Sequence, residues 1–425
     1  MFQNLLFTNA YRTHQLKVTG ITLVLLLLVC PLVSFAEYET PKQYSAHSLL
    51  KPTLQKGKHF TVAEEVTSDG LFYRYTVLSP FGTFTAGSTS ALQQLAQELN
   101  VIAAMKKIAT DDTAVAALKQ SGKNAATGIQ NLFANPEETL QGAAAGVSSL
   151  FNRAVNTVGS RQVTDAEDSR AQQLIGFSKS KGQIATKYGV NVYSTNMVLQ
   201  EELDRLAWAD YLGGLGVGVA MGAVPGAGGL VLTTSGTARL LNEAINTTPA
   251  SELWLQNKNK LLAMGMNADT VELFLNNRVF NPALTTVTVS ALEKMKGVEN
   301  LELFIKVGLQ ASDPQMARVI TTIAVMSAGY HQQIAPLKRI SPLARITKAT
   351  TSKGEVVVVL PTDHVIWSEN VAGIARALTE KSDSKETKKQ LWVLGDFSPI
   401  ASANLQEMGW TLHTNVKDRL IPSRK

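Results

Sequence analysis

The spacing of apolar residues changes along this chain, and each spacing predicts a different kind of element. Leu71–Thr85 reads LFYRYTVLSPFGTFT, with aromatic and β-branched residues on both sides of Ser79-Pro80-Phe81-Gly82. Such residues around a Pro/Gly turn predict a β-hairpin. A two-stranded hairpin is barely stable alone, so it needs something to pack on. The expected partner is the next segment, Ala91–Ala109. There Leu92, Leu95, Leu99 and Ile102 recur at helical spacing, with Gln93, Gln94, Gln97 and Glu98 between them as the polar side. Ser90 is the expected N-cap. Residues 37–70 are polar and rich in Pro, Lys and Thr, and read as an extended arm.

The middle of the chain reads as helix. Thr110–Phe151 is rich in Ala and Gly, and Arg153–Gln173 is polar, a linker or an exposed helix. Phe177–Gly189 and Met197–Tyr211 keep helical spacing, the second with Thr195 as its expected cap and Leu199, Leu203 and Leu206 on one face. Val190–Tyr193 between them reads as extended. From Pro249 to Ala335 the punctuation is clear. Gly265 and Gly297 stand where helices stop. Asn281-Pro282 and Asp313-Pro314 each pair a capping residue with a first-turn proline. Thr285–Val289 is β-branched, yet Leu284, Val287, Ala291, Leu292 and Met295 hold helical spacing and predict helix.

The last part changes character. Arg345–Thr350 and Glu355–Leu360 flank Thr351–Gly354 as a hairpin would, and VVVVL is the kind of strand buried on both faces. Trp367–Glu380 reads as helix, Leu391–Leu394 as strand, the stretch from Ser398-Pro399 to Gly409 as helix, and Trp410–Thr414 as strand. Strand, helix, strand, helix, strand predicts parallel pairing with right-handed crossovers. The expected fold class is therefore α+β: a predominantly helical central domain, an N-terminal β-hairpin and a small C-terminal α/β module. The expected divisions are 1–36, 37–110, 111–340 and 341–425.

Residues 1–36 read as a secretion signal. Arg12 and Lys17 precede an apolar run from Ile21 to Val29, and Ser34-Phe35-Ala36 places small residues before Glu37. Cys30 lies between Val29 and Pro31, without the small preceding residue that lipidation requires. It is the single cysteine, so cleavage after Ala36 would leave about 390 residues to stabilise themselves by packing without disulfides. The chain is 45% hydrophobic and only 17% charged. Removing Arg12 and Lys17 leaves 38 basic against 34 acidic residues, a net charge of +4 with no dense basic stripe. That gives no case for nucleic-acid binding, though it permits weak attraction to anionic lipid. The expected location is the periplasm or cell envelope.

One segment stands apart. Leu212–Ala238 carries no charge, and Gly214, Gly218, Gly222 and Gly226 recur at four-residue spacing. In a helix these glycines share one face and leave a groove for close helix packing or membrane contact. Leu212–Leu232 would span about 32 Å as a helix, a hydrocarbon thickness. Glycine costs about 1 kcal/mol per helical residue relative to alanine, and Pro225 breaks a continuous helix. A buried hairpin broken at Pro225–Gly229 is therefore expected over a spanning helix. Self-association or a membrane surface are the partners this segment points to.

Catalytic signals are weak. His47, His59, His331, His364 and His413 show no HxH, HxxxH or HExxH spacing, so no metal site is expected, nor any cofactor. His331 is expected to be a satisfied histidine. Asp363-His364 and Asp396 follow apolar strands, where α/β folds place ligands. Ser398 opens a helix whose N-terminus can face an anion. Asp363, His364, Asp396 and Ser398 are thus the candidate acid, base and nucleophile set, although the strained G-x-S-x-G turn of hydrolases is missing. The expected function is binding or membrane-associated assembly in the envelope; the alternative is a periplasmic hydrolase with its site at these strand ends.

Overall fold

The computed structural model describes residues 38–108, 165–211, 236–343, 345–380 and 388–421. The expected signal, and Gly214, Gly218, Gly222 and Gly226 of the glycine segment, lie outside these residues. From Glu39 to Lys425 the chain forms one unit. It holds both helices and sheets, and the α+β class stands.

The hairpin is there. Strand β5 (Tyr73–Ser79) pairs antiparallel with β6 (Gly82–Ala86) about the Ser79–Gly82 turn. Along β5, Tyr73, Tyr75 and Val77 are buried while Arg74, Thr76 and Leu78 face outward, the two-residue alternation of a one-sided sheet. The arm expected over 37–70 is instead folded onto this hairpin. Short strands β1 (Tyr44–Ser45), β2 (Lys56–Gly57), β3 (Phe60–Val62) and β4 (Glu65–Ser68) join β5 and β6 in a six-stranded antiparallel sheet. Two single-turn helices, α1 (Ala46–Leu49) and α2 (Pro52–Gln55), lie between them. Each strand is too short for its alternation to stand out from the polar background, which is why the arm read as extended.

Helix α3 (Thr89–Met105) covers this sheet with α4 (Asp165–Tyr188) and α5 (Met197–Tyr211). Its cap is Ser88 rather than Ser90: the Ser88 hydroxyl accepts the Ala91 N–H at 3.0 Å. Likewise Asn196, not Thr195, caps α5 by accepting the Leu199 N–H. Of Val190–Tyr193, expected to be extended, Val192–Tyr193 is a turn and no residue joins a strand.

The punctuation from Pro249 onward is as expected. After α6 (Gly236–Thr247) come α7 (Ala250–Ala263), α8 (Ala268–Leu275), α9 (Pro282–Lys294), α10 (Leu303–Gly308) and α11 (Pro314–Gln333). Gly265 and Gly297 hold the positive φ of helix stops, +80° and +97°. Asn281 and Asp313 cap α9 and α11 with their side chains. The β-branched run Thr285–Val289 is helical, with Thr285, Thr286 and Thr288 hydroxyls bonded to carbonyls one turn back.

The C-terminal sheet has five strands: β7 (Leu337–Leu343), β8 (Ile346–Thr351), β9 (Val356–Leu360), β11 (Lys389–Val393) and β13 (Trp410–His413). β9, β11 and β13 run parallel, as the crossover pattern required, while β7–β8 adds a second antiparallel hairpin. Both faces of β9 are buried. Val357 and Val359 join Trp392 and Tyr330 in the core under α11. Val356 and Val358 face the other way, toward the core shared with α12 (Glu369–Glu380) and α13 (Pro399–Glu407). The sheet is therefore the middle of three layers. The last helix, α14 (Lys417–Leu420), packs on α11 where Gly329 has no side chain. No helix among the described residues is long and apolar enough to cross a membrane.

Candidate functional site

Two places concentrate polar side chains. The first is the pair of strand ends that the sequence singles out. Short strands β10 (His364–Val365) and β12 (Asp396–Phe397) pair in parallel and put His364 beside Asp396. His364 Nδ1 lies 2.5 Å from Asp396 Oδ1. The Tyr73 ring lies nearly parallel to the imidazole, 10° between planes, and Tyr44 meets it edge-on.

Asp363 and Ser398 are turned to other partners. Asp363 Oδ2 accepts the Tyr73 N–H, and both carboxylate oxygens accept the Thr89 N–H. Burial pushes this carboxyl above the usual range, and those amides pull it part of the way back. The Ser398 hydroxyl accepts the Ala401 N–H as an N-cap and donates to Glu39. Glu39 also takes the Trp367 N–H at 2.6 Å and gives its own N–H to the Trp367 carbonyl. Glu39 and Asp363 thus stitch the N-terminal sheet to the C-terminal module. A side-chain nucleophile activated by His364 needs a hydroxyl or thiol within hydrogen-bond reach of the imidazole. Among the described residues no serine, threonine or cysteine side chain bonds to the His364 ring.

The remaining histidines are also partly placed. His331 Nδ1 accepts the Leu337 N–H at 3.0 Å. His413 stacks on Trp392, whose ring also receives Arg419. No group of three or more His, Cys, Asp or Glu fit to hold a metal lies among the described residues.

The second place is a cleft of about 320 Å³. Its walls come from β6 and α3, from the turn before α5, from α11, and from the start of α14. At one wall Glu98 is 5% exposed, although the sequence pattern sets it among the polar residues of α3. Glu98 Oε1 accepts Gln94 Nε2 and the Ser194 hydroxyl, and Oε2 accepts Asn196 Nδ2. Burial raises its pKa against the pull of those three donors and the charge of Arg318.

Arg318, on α11, lines the same cleft. Its guanidinium makes no ion pair or hydrogen bond among the described residues. Burial lowers its pKa, opposed by the charge of Glu98, yet a guanidinium stays protonated in a protein. Lys417 is the third charged group, with Nζ 3.3 Å from Gln93 Oε1 and its pKa also lowered by burial. Leu95, Leu284, Val319 and Leu394 supply apolar wall.

The sequence reading missed this site. One local signal was available: Glu98 lies three residues after Leu95 and four before Ile102, on the apolar face rather than between its residues. Arg318 and Lys417 carry no comparable signal. No protein-family model matches the chain, and no curated protein or solved structure matches it either.

Proposed function

We propose that this chain is a binding protein of the cell envelope, and that the cleft between α3 and α11 is its ligand site. The observation that carries the reading is Arg318, a partly buried charged side chain that lines the cleft and makes no ion pair or hydrogen bond among the described residues. Drawing a charge partly out of water without a hydrogen-bonded partner costs free energy that a bound ligand can return. A concave space of this size with mixed apolar and polar walls is typical of small-molecule sites. The test is a ligand-observed NMR screen of small fragments against the wild type and against Ala91→Trp, which fills the cleft from α3. Fragments that bind the wild type and not the filled variant support the reading. A screen in which every hit binds both proteins equally overturns it.

Envelope location is supported by the sequence of residues 1–36. The same proposal gives Gly214, Gly218, Gly222 and Gly226 a helix-packing or membrane-contact role, supported by their four-residue spacing. Fractionation with a carbonate wash tests it. Release of the cleaved protein into the soluble fraction removes the membrane role; retention in the washed membranes upholds it.

A further inference from the structure

The cleft carries more positive than negative charge. Arg318 and Lys417 are cationic, and Glu98 is the one acidic side chain lining it among the described residues. With Glu98 ionised the balance is one positive charge; with Glu98 protonated it is two. Glu98 makes no hydrogen bond to Arg318, its two oxygens accepting from Gln94, Ser194 and Asn196, although the two charges act on each other across the cleft.

The backbone adds to the same field. The first turn of α3 lines the cleft through Ser88, Ser90 and Ala91. A helix N-terminus carries a partial positive charge. Its Thr89 and Ala91 amides, however, are already bonded to Asp363 and Ser88. The turn therefore contributes potential but few free donors. Donation to a ligand falls to the guanidinium fork of Arg318 and to the Lys417 ammonium. A planar fork matches a carboxylate in two parallel hydrogen bonds. One such group also cancels the single positive charge left when Glu98 is ionised.

Resting on the reading of the cleft as a ligand site, we propose that its ligand is a small organic acid. The carboxylate is held by Arg318 with Lys417 at the mouth, and the apolar body lies against Leu95, Leu284 and Val319. The acid group fixes the orientation, while the apolar wall supplies area.

The probes are matched pairs that differ only in charge: phenylacetate with phenylacetamide, and hexanoate with hexanamide. Affinities are measured on the full chain by ligand-observed NMR for the wild type, Arg318→Met, Arg318→Gln and Ala91→Trp. The expected result is that each acid binds the wild type about tenfold more tightly than its amide, the size of one charge-assisted hydrogen bond. That preference disappears in Arg318→Met and Arg318→Gln. Equal binding of acid and amide by the wild type overturns the proposal, as does a preference that survives in both Arg318 variants. If acid and amide bind equally and both are lost in Ala91→Trp, the inference falls while the ligand site stands. If neither member of a pair is affected by Ala91→Trp, both fall together.

Discussion

The carboxylate of Asp363 accepts the backbone N–H of Thr89 with both oxygens, at 3.1 and 3.0 Å, across 274 positions of sequence. With the Tyr73 N–H on Oδ2, this one side chain holds the first turn of α3 and the start of β5 against the C-terminal module. Asp363→Ala leaves two part-buried amides unpaired, at about 1–3 kcal/mol each. The expected loss is about 3 kcal/mol in urea denaturation. Asp363→Asn keeps one acceptor and loses less. Equal stability of Asp363→Ala and the wild type would remove the clamp from the account.

Gly329 lets α14 reach α11. A Cβ placed there would lie 1.7 Å from the Leu420 carbonyl oxygen, so backbone must move. Overpacking of this kind costs about 1–3 kcal/mol. Gly329→Ala should therefore lower the Tm and, because Lys417 and Ile421 line the cleft, weaken binding there as well. A variant that melts like the wild type and binds like it would contradict this packing.

Glu98 has a raised pKa in the folded state. Between the unfolded and the folded value the native protein binds more protons than the unfolded chain, so stability falls as pH rises through that window. The variant Glu98→Gln lacks this proton. The stability of wild type minus Glu98→Gln should decline as pH rises from the ordinary carboxyl range toward neutrality. Parallel curves for the two proteins would show that Glu98 does not titrate as described.

Arg318 is expected to cost stability in the absence of ligand. Its partly desolvated charge makes no ion pair or hydrogen bond among the described residues, so Arg318→Met should melt no lower than the wild type even as it loses the preference for acids. Function and stability then trade against each other at one position, as they do at many binding sites. A large fall in Tm would mark Arg318 as structural.

What the sequence made legible was local. The caps Asn281 and Asp313, the stops Gly265 and Gly297, and the hairpin at Ser79–Gly82 are each decided by a few neighbouring residues, and each is where the pattern puts it. The strands of residues 44–68 escaped because two to four residues cannot display a period. At the strand ends, adjacency of His364 and Asp396 follows from parallel pairing and was readable, but the partners of Asp363 and Ser398 come from the far end of the chain. The cleft was hidden for the same reason. Glu98 meets Ser194 and Asn196 at separations of 96 and 98 residues, and no window of sequence contains both sides.

The stitch between Glu39 and the C-terminal module bears on the order of events during synthesis. Glu39 finds Trp367 and Ser398 at separations of 328 and 359 residues, and Lys417 and Ile421 complete the wall of the cleft. Contacts so distant in sequence form late. The strands of the N-terminal sheet lie within residues 44–86 and can pair among themselves, but their attachment to the C-terminal module waits for Trp367 and Ser398. Without Lys417 and Ile421 the cleft lacks one wall, so anything held there would report that the C-terminal segment had docked.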